Sequence, residues 1–206
     1  MMGMSIPYEL QGRTSQKART REALVEAARS LLADGVTPTV EQAAGRAAIA
    51  RTTAYRYFPN QRALLLATYP ELGTPSLLGP DPPPDAATRL EVVTDQITRQ
   101  ILDHEPELRA ALRVSLEPSG LKGDPPQLRR GRAIGWIEDA LAPLRSEMSE
   151  PGLHRLVLAI RAAIGIEALV WLTDVGKLSR ADAVATMQWS ARALLRSALE
   201  ECAADE

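Results

Sequence analysis

Apolar residues recur along this chain at intervals of three and four, the spacing that places side chains on one face of an α-helix. The first instance is SQKARTREALVEAARSLLADG, in which Leu24, Ala28, Leu31 and Leu32 form a single apolar stripe. No segment shows the alternation of apolar and polar residues that a half-buried strand requires. The recurrent Ala, Leu and Arg also favour helices. The sequence therefore predicts an all-α fold with about nine helices.

Capping residues and helix breakers divide the N-terminal third into four helices. Thr39 followed by Gln42 matches a capping box, in which a hydroxyl and an amide satisfy free N–H groups at a helix start. Pro59 disfavours a helical conformation at the residue before it and therefore ends the third helix. The other predicted caps are Ser15 and Gly35 for the first helix and Asn60 for the fourth. The order helix, short helix, tight turn, short helix is that of a helix-turn-helix.

A segment dense in Pro and Gly, LGTPSLLGPDPPPD, follows the fourth helix. This composition predicts a linker or an extended loop. We expect a helix-turn-helix domain over residues 1–66 and a second helical domain over residues 67–206. The second domain ends in two long helical segments, PGLHRLVLAIRAAIGIEALVWLTDVG and SRADAVATMQWSARALLRSALE.

Positive charge is concentrated near the N-terminus. Residues 13–62 contain nine basic and four acidic side chains, a net charge of +5, whereas the whole chain has a formal net charge of −2. A basic segment attached to an acidic remainder is typical of a local surface that binds a polyanion. Uneven surface charge without a partner is the alternative explanation.

The third helix, within RTTAYRYFPN, carries side chains suited to contact with a nucleic-acid duplex. Ala54 and Phe58 lie one turn apart and can face the core, which leaves the neighbouring stripe outward. Arginine can bond guanine or phosphate, threonine can contact phosphate or a thymine methyl, and a tyrosine hydroxyl can bond the backbone. The predicted DNA-binding residues are Thr39, Arg51, Thr52, Thr53, Tyr55, Arg56 and Tyr57. Two alternatives stay open, since Thr39 could serve only as a cap and Tyr57 could pack against the first helix.

The segment TVEQAAGRAAIARTTAYRYFPNQRALL resembles the DNA-binding signature of TetR-type transcriptional regulators. That signature has a capping Thr or Ser, a small-residue turn, Thr-x-Tyr-x-x-Phe and a Pro-containing corner. Here Thr53, Tyr55, Phe58 and Pro59 fall in its register, and the resemblance runs from about Thr14 to Leu66. It implies a C-terminal domain that dimerises through its last two helices and encloses a small-molecule pocket.

Three positions depart from the family pattern. The turn usually carries Gly and then Ser, where this chain has Ala48 and Ala50. Gln61 replaces the lysine that usually follows the corner, and Arg62 is the cation that could take over its phosphate contact. These changes affect the expected affinity for DNA more than the expected fold.

The two final helical segments are apolar on more than one face, which indicates burial on more than one side. An antiparallel four-helix interface between two copies of the chain accounts for this pattern, and Gly165 would allow close approach of the helices. The predicted dimer contacts are Val157, Ile160, Ile164, Ala168, Met187, Ala191, Leu194 and Leu195. A monomeric helical bundle is the alternative.

The candidate residues of an effector pocket are Trp136, Glu167 and Trp171. The tryptophans could line a cavity, and the carboxylate could receive a cationic ligand or pair with an arginine such as Arg161. The two histidines lack metal-ligand spacing, and the chain has no Ser-His-Asp, Cys-His, zinc or phosphate-loop pattern. We therefore expect no metal, no cofactor and no enzymatic activity.

Nothing in the sequence has the pattern of a signal peptide or a membrane span, and the single cysteine, Cys202, cannot form an internal disulfide. The sequence predicts a cytoplasmic, homodimeric DNA-binding regulator, a repressor released from a pseudo-palindromic operator by a small-molecule effector. The fourth helix, Gln61 to Leu72, is expected to transmit the signal because it alone links the two domains. The alternative is a non-enzymatic helical interaction protein with a degenerate helix-turn-helix.

Overall fold

The computed structural model describes residues 8–68, 75–116 and 132–204. These residues form α-helices and no strand, which confirms the all-α fold, with a helix count close to that expected. The helices are α1 Tyr8–Ala33, α2 Val40–Arg46, α3 Arg51–Tyr57, α4 Gln61–Ala67, α5 Ala86–Asp103, α6 Glu105–Leu116, α7 Arg132–Ala140, α8 Glu150–Ala163, α9 Ile166–Val170 and α10 Arg180–Ala204. A 3-10 helix, Ala142–Ser146, follows α7, and a π-helical turn, Trp171–Val175, continues α9.

The first helix ends where the sequence predicts and begins earlier. Gly35 has a φ of 77°, and its N–H donates to the carbonyl of Leu32 while the next N–H donates to the carbonyl of Leu31. This pair of bonds is a Schellman motif, so the cap at Gly35 is confirmed. Ser15 lies inside α1 because the helix already includes Tyr8, and the N-cap predicted there is wrong. The intervening residues YELQGRT contain Glu, Leu, Gln and Arg, which tolerate helix well.

The ends of α2, α3 and α4 follow the local signals. The Thr39 hydroxyl accepts from the N–H of Gln42 at 3.2 Å, and the Gln42 amide oxygen accepts from the N–H of Thr39 at 2.8 Å. Helix α3 stops at Tyr57, directly before an extended Phe58 and the following proline. Asn60 caps α4 by accepting from the N–H of Ala63 at 2.8 Å. The capping box, the stop and the cap are all confirmed; the predicted extension of α4 to Leu72 lies outside the described residues.

The described part of the predicted loop contains no helix, and it packs on the body. Leu77 is buried, and the side-chain amide of Gln96 in α5 donates to its carbonyl at 2.8 Å. Asp85 then caps α5 by accepting from the N–H of Thr88. Residues 75–84 therefore form an irregular segment, with bends and no helix, that packs on the body.

Two separate apolar cores give the molecule a head and a body. The head consists of α1–α4, and its core contains Leu24, Val25, Ala28, Val40, Ala43, Ala54, Phe58 and Leu64. The body core is larger and is built where α5, α7, α8 and α10 pack together. Its fully buried members include Leu90, Val93, Ile137, Leu141, Val157, Ile160, Ile164, Leu169 and Met187.

Helix α6 joins the head to the body. Ala110 and Val114 of α6 form a small buried cluster with Leu32 of α1 and Leu65 of α4. Arg62 of α4 also donates to the carbonyl of Val114 at 2.8 Å. The expectation that α4 alone links the two parts is therefore wrong, because α6 packs against both α1 and α4.

Gly165 interrupts what the sequence predicts to be one long helix. It has an extended conformation (ψ 171°) between the end of α8 and the start of α9. A β-carbon at this position would collide with the side chains of both Arg161 and Glu167, which pair across it at 3.5 Å. Within one chain, the glycine thus makes room for this ion pair. Its expected role in the close approach of two helices stays a prediction.

One segment, Glu150–Val175, is apolar and long enough to satisfy the length and composition test for a membrane span. The same segment is broken at Gly165 and contributes Leu156, Val157 and Ile160 to the body core. Packing inside the bundle thus accounts for part of its apolar character, while Leu158, Trp171 and Val175 of the same segment are exposed.

Candidate nucleic-acid interface

Helix α3 is held against the head so that one side is buried and the other faces solvent. Ala54 and Phe58 point into the head core, and the guanidinium of Arg21 in α1 lies 5.6 Å from the ring centroid of Phe58. Arg51, Thr52 and Arg56 are exposed on the opposite side. A short helix with a polar, solvent-facing side is the geometry with which a helix-turn-helix reads a groove.

The remaining predicted contacts lie at the edges of this face. Thr53, Tyr55 and Tyr57 are half-buried, and the two tyrosine rings pack against the head core. Thr39 is exposed, with its hydroxyl engaged in the capping box of α2. The structure therefore brings all seven predicted residues to α3 or to the start of α2. Tyr57 packs against the head core, as in the alternative that the sequence left open for this residue.

A carboxylate, Glu41, lies within this group. Its Oε1 accepts from the Tyr55 hydroxyl at 2.5 Å and lies 2.8 Å from Nη2 of Arg51. The Arg51 guanidinium also lies 5.7 Å from the centroid of the Tyr55 ring. The hydrogen bond from Tyr55 holds the pKa of Glu41 below its usual value, and the same bond raises the pKa of the Tyr55 phenol. The three side chains thus form one connected cluster at the outer edge of α3.

Sequence reasoning treated Glu41 only as one of four acidic residues in the head. It precedes Tyr55 by 14 positions, and the turn between α2 and α3 determines whether they meet. Since Tyr55 and Arg51 are one helical turn apart, a carboxylate reaching one can reach both. The pattern that could have found this cluster is an acid in the first turn of α2 combined with Arg and Tyr spaced by four on α3.

The turn between α2 and α3 is formed without the residues that the family pattern provides. Ala48 has a φ of 53°, and the N–H groups of Ala48 and Ile49 donate back to the carbonyls of Gly45 and Ala44. This is a second Schellman motif with alanine in the left-handed position usually taken by glycine. Ala50 occupies the N-cap of α3 and provides no side-chain hydrogen bond.

The residues after the corner face away from the polar side of α3. The amide of Gln61 donates to the carbonyl of Pro38 at 3.0 Å, which ties the start of α4 to the start of α2. Arg62 points to α6, where it donates to the carbonyl of Val114. In this arrangement Arg62 stabilises the contact between head and body. Its expected contact with phosphate stays a prediction.

The residues predicted for the dimer interface are mostly inside one chain. Val157, Ile160 and Ile164 are fully buried in the body core, where they pack with α5, α7 and α10. Met187, Ala191 and Leu195 of α10 are buried in the same core, and Ala168 and Leu194 pack partly buried against it. Their apolar character is explained by the protomer itself. The large apolar side chains that α8, α10 and the π-helical turn expose are Leu158, Trp171, Val175, Trp189 and Leu199.

The three candidate pocket residues lie in different surroundings in the described part of the chain. Trp136 is buried in the body core, Trp171 is 61% exposed, and Glu167 pairs with Arg161. One cavity of about 710 Å³ lies between α7 and the start of α8, beside Glu138 and His154. Another, of about 760 Å³, lies between head and body. None of the three candidates lines either cavity.

The cavity between head and body borders a network of ion pairs. Glu105 is buried and accepts from Arg109 and Arg180, each at 2.7 Å, and Arg109 also binds Asp174 through two bonds. Burial alone would raise the pKa of Glu105, but the bonds from Arg180 and Arg109 outweigh it and the pKa lies below its usual value. The bonds from Arg109 lower the pKa of Asp174 to about 2. On the head side of the same cavity, Arg113 donates to the hydroxyl of Thr37.

Within the three described ranges, no group of three or more His, Cys, Asp or Glu side chains is placed to hold a metal ion. Comparison with known proteins gives no further identification: no family model matches the chain, and no curated protein matches it.

Proposed function

We propose that this chain is a cytoplasmic, non-enzymatic transcriptional regulator of the TetR type, most simply a repressor, that binds a double-stranded operator through α3. The observation that carries the proposal is the solvent-facing polar side of α3, on which Arg51, Thr52 and Arg56 stand beside the buried Ala54 and Phe58. The resemblance of this segment to the TetR-type signature and the net charge of +5 over residues 13–62 also support it.

Selection of fragments from a random pool of duplexes tests DNA binding and gives the operator sequence. Two copies of α3 related by a two-fold axis would enrich a pseudo-palindrome. Binding should weaken steeply as salt concentration rises, because bound arginines displace counterions from the phosphates. Failure to retain any duplex in dilute buffer would overturn the proposal.

Arg56→Ala is the variant that tests the assignment of α3. Arg56 is exposed and is not part of the head core, so we expect the variant to keep its fold. Its affinity for the selected operator should fall by about tenfold or more. Arg99→Ala on α5 is the matched control, since Arg99 is also exposed but lies on the body. Equal losses for the two variants would place the interface elsewhere.

The proposed regulator is a homodimer, with contacts on the exposed side of α8 and α10. Leu158 is 43% exposed, Trp189 61% and Leu199 37%, so α8 and α10 leave large apolar side chains in contact with water. Leu158→Glu and Trp189→Glu should give monomers in sedimentation and weaken operator binding, because two linked heads bind more tightly than one. Leu116→Glu, at an exposed residue at the end of α6, is the control and should leave the oligomeric state unchanged.

The effector is proposed to act at the cavity between head and body. A small molecule there would touch Val36 and Thr37 of the head together with Arg109 and Arg113 of the body. Only a ligand that contacts two moving parts differently in two states can shift their equilibrium. This cavity satisfies that condition, whereas the cavity beside His154 is lined by body residues alone.

A helical interaction protein with an inactive helix-turn-helix is the second candidate. It is favoured by the engagement of Tyr55 and Arg51 with Glu41, and by the turning of Arg62 toward α6. The two candidates differ in the salt-dependent duplex binding described above, which only the regulator would display.

A further inference from the structure

Two of the side chains proposed to grip DNA are bound by one oxygen atom within the protein. The Oε1 of Glu41 accepts the hydrogen bond of the Tyr55 hydroxyl at 2.5 Å and lies 2.8 Å from the Arg51 guanidinium. A phenol O–H and a guanidinium N–H are also the donors that proteins present to a phosphate oxygen. The carboxylate therefore occupies the position of an anion that these two donors could otherwise bind.

The cluster is accessible, so an exchange of partners requires no unfolding. The Arg51 side chain is 70% exposed and that of Glu41 37% exposed. The Tyr55 ring is packed against the head core, which fixes the position of its hydroxyl at the surface. An exposed ion pair of this kind contributes little to stability, so Glu41 can be replaced without loss of the fold.

Glu41 is charged at physiological pH, as an ordinary carboxyl is, and the bond from Tyr55 lowers its pKa further. A full negative charge therefore lies beside the exposed Arg51, on whose helix Thr52 and Arg56 are also exposed. A duplex bound at this face would bring its phosphates close to the Glu41 carboxylate. At such a short distance salt only partly screens the repulsion between them.

We propose that Glu41 is an internal competitor for phosphate: it holds Tyr55 and Arg51 in the free protein, and DNA binding replaces it by a backbone phosphate oxygen. This inference rests on the proposed function, since it names a residue that sets the affinity of that same surface. Phosphate contacts carry no sequence information, so the competition lowers affinity for operator and for other duplexes by the same factor.

Glu41→Gln tests the proposal because the amide keeps the shape and the acceptor but removes the charge. Dissociation constants are measured by fluorescence anisotropy for a labelled operator duplex and for a scrambled duplex of the same length, at one salt concentration. We expect both to become roughly tenfold tighter and their ratio to stay constant. Glu91→Gln, an exposed carboxylate on α5, is the control and should change neither value.

The outcomes separate the two proposals. If the wild-type chain binds no duplex at all, the proposed function fails. If the wild-type chain binds its operator but Glu41→Gln binds it no more tightly, the proposal that Glu41 competes with phosphate is overturned. Weaker binding by Glu41→Gln would indicate that Glu41 positions Arg51 for binding.

A double-mutant cycle provides a second test that does not depend on the charge alone. In the wild-type background, Tyr55→Phe loses a hydrogen bond in both the free and the bound states, so affinity should fall by no more than about threefold. In a Glu41→Ala background the bond exists only in the complex, and the same substitution should cost about tenfold. Equal costs in the two backgrounds would contradict the exchange of partners.

Discussion

Ala48 adopts a left-handed backbone conformation, with a φ of 53°, in the turn that orients α3. For residues other than glycine this conformation costs on the order of 1 kcal/mol, because the β-carbon crowds the following carbonyl. The adjacent N–H groups close a Schellman motif onto α2, which holds Ala48 in place. The strain is therefore located at the joint between the two helices of the proposed DNA-binding motif.

Replacing Ala48 by glycine should stabilise the protein. Ala48→Gly relieves the strain but adds backbone freedom to the unfolded chain, so we expect a net gain of about 0.5 kcal/mol in the free energy of unfolding. Urea denaturation measures this difference. Ala47→Gly is the control, because Ala47 has a φ of −85° and the same substitution there should destabilise. A loss of stability in Ala48→Gly would show that the turn carries no strain.

The sequence predicted the hydrogen bonds of the helix caps correctly but missed the bond between Glu41 and Tyr55. Thr39 with Gln42, and Asn60 with Ala63, are partners three positions apart, so their bonds follow from local spacing alone. Glu41 and Tyr55 are joined only through the geometry of the turn between their helices. Bonds of the first kind can be predicted from a sequence, whereas those of the second kind require the tertiary fold.

At the scale of elements, α6 is the piece that couples head and body. Its Ala110 and Val114 are buried against Leu32 and Leu65, and Arg62 bonds its last turn. The sequence indicates that α6 is an amphipathic helix but contains no signal for which domain its apolar side will cover. In the structure Ala110 and Val114 pack against the head, while Leu108 and Leu112 pack against the body core. The prediction from the linker alone missed this double contact.

Leu65→Ala should destabilise the chain strongly. The side chain is 1% exposed, and its removal would leave a cavity where α1, α4 and α6 meet. We expect the free energy of unfolding to fall by about 2–5 kcal/mol in urea denaturation. Leu116→Ala, at a position that is 76% exposed, should change it by less than about 0.5 kcal/mol. A small effect at Leu65 would mean that head and body fold independently of this contact.

The apolar stripes of α8 and α10 illustrate the limit of periodicity at this scale. Val157 and Ile160 lie on a stripe that the pattern assigned to a partner subunit, and both are fully buried in their own protomer. The neighbouring Leu158 points outward instead. Spacing identifies that a face is apolar, but the same pattern results from burial by the chain itself or by a second copy.

Across the whole molecule, ion pairs join segments far apart in sequence around the buried Glu105. Arg109 lies in the same helix as Glu105, whereas Asp174 and Arg180 come from the end of the π-helical turn and the start of α10. Both carboxylates in this network have a lowered pKa. The network therefore holds the beginning of α6 against the beginning of α10 only while those groups are ionised.

Acid should weaken this network in a defined range. The pKa of Asp174 is about 2 in the folded protein and near its ordinary value of about 4 when unfolded. Its contribution to stability is thus complete above about pH 4 and is lost as the pH falls toward 2. The difference in unfolding free energy between the wild type and Asp174→Asn should therefore shrink between pH 5 and about 2.5.

Asp95→Asn is the control for this series, because Asp95 forms an exposed pair with Arg99 within one helix. Its effect on stability should be small at every pH. A difference for Asp174→Asn that stays constant from pH 5 downward would show that the carboxylate does not act through its charge.

The fluorescence of the tryptophans can report self-association of the protein. Trp136 is 4% exposed, whereas Trp171 and Trp189 are each 61% exposed, and Trp189 belongs to the surface of α8 and α10 proposed to meet a second copy. Association over that surface would take the Trp189 indole out of water while Trp136 stays in its dry surroundings. Dilution of an unlabelled sample should then shift its emission toward longer wavelengths, so the strength of self-association can be followed by intrinsic fluorescence.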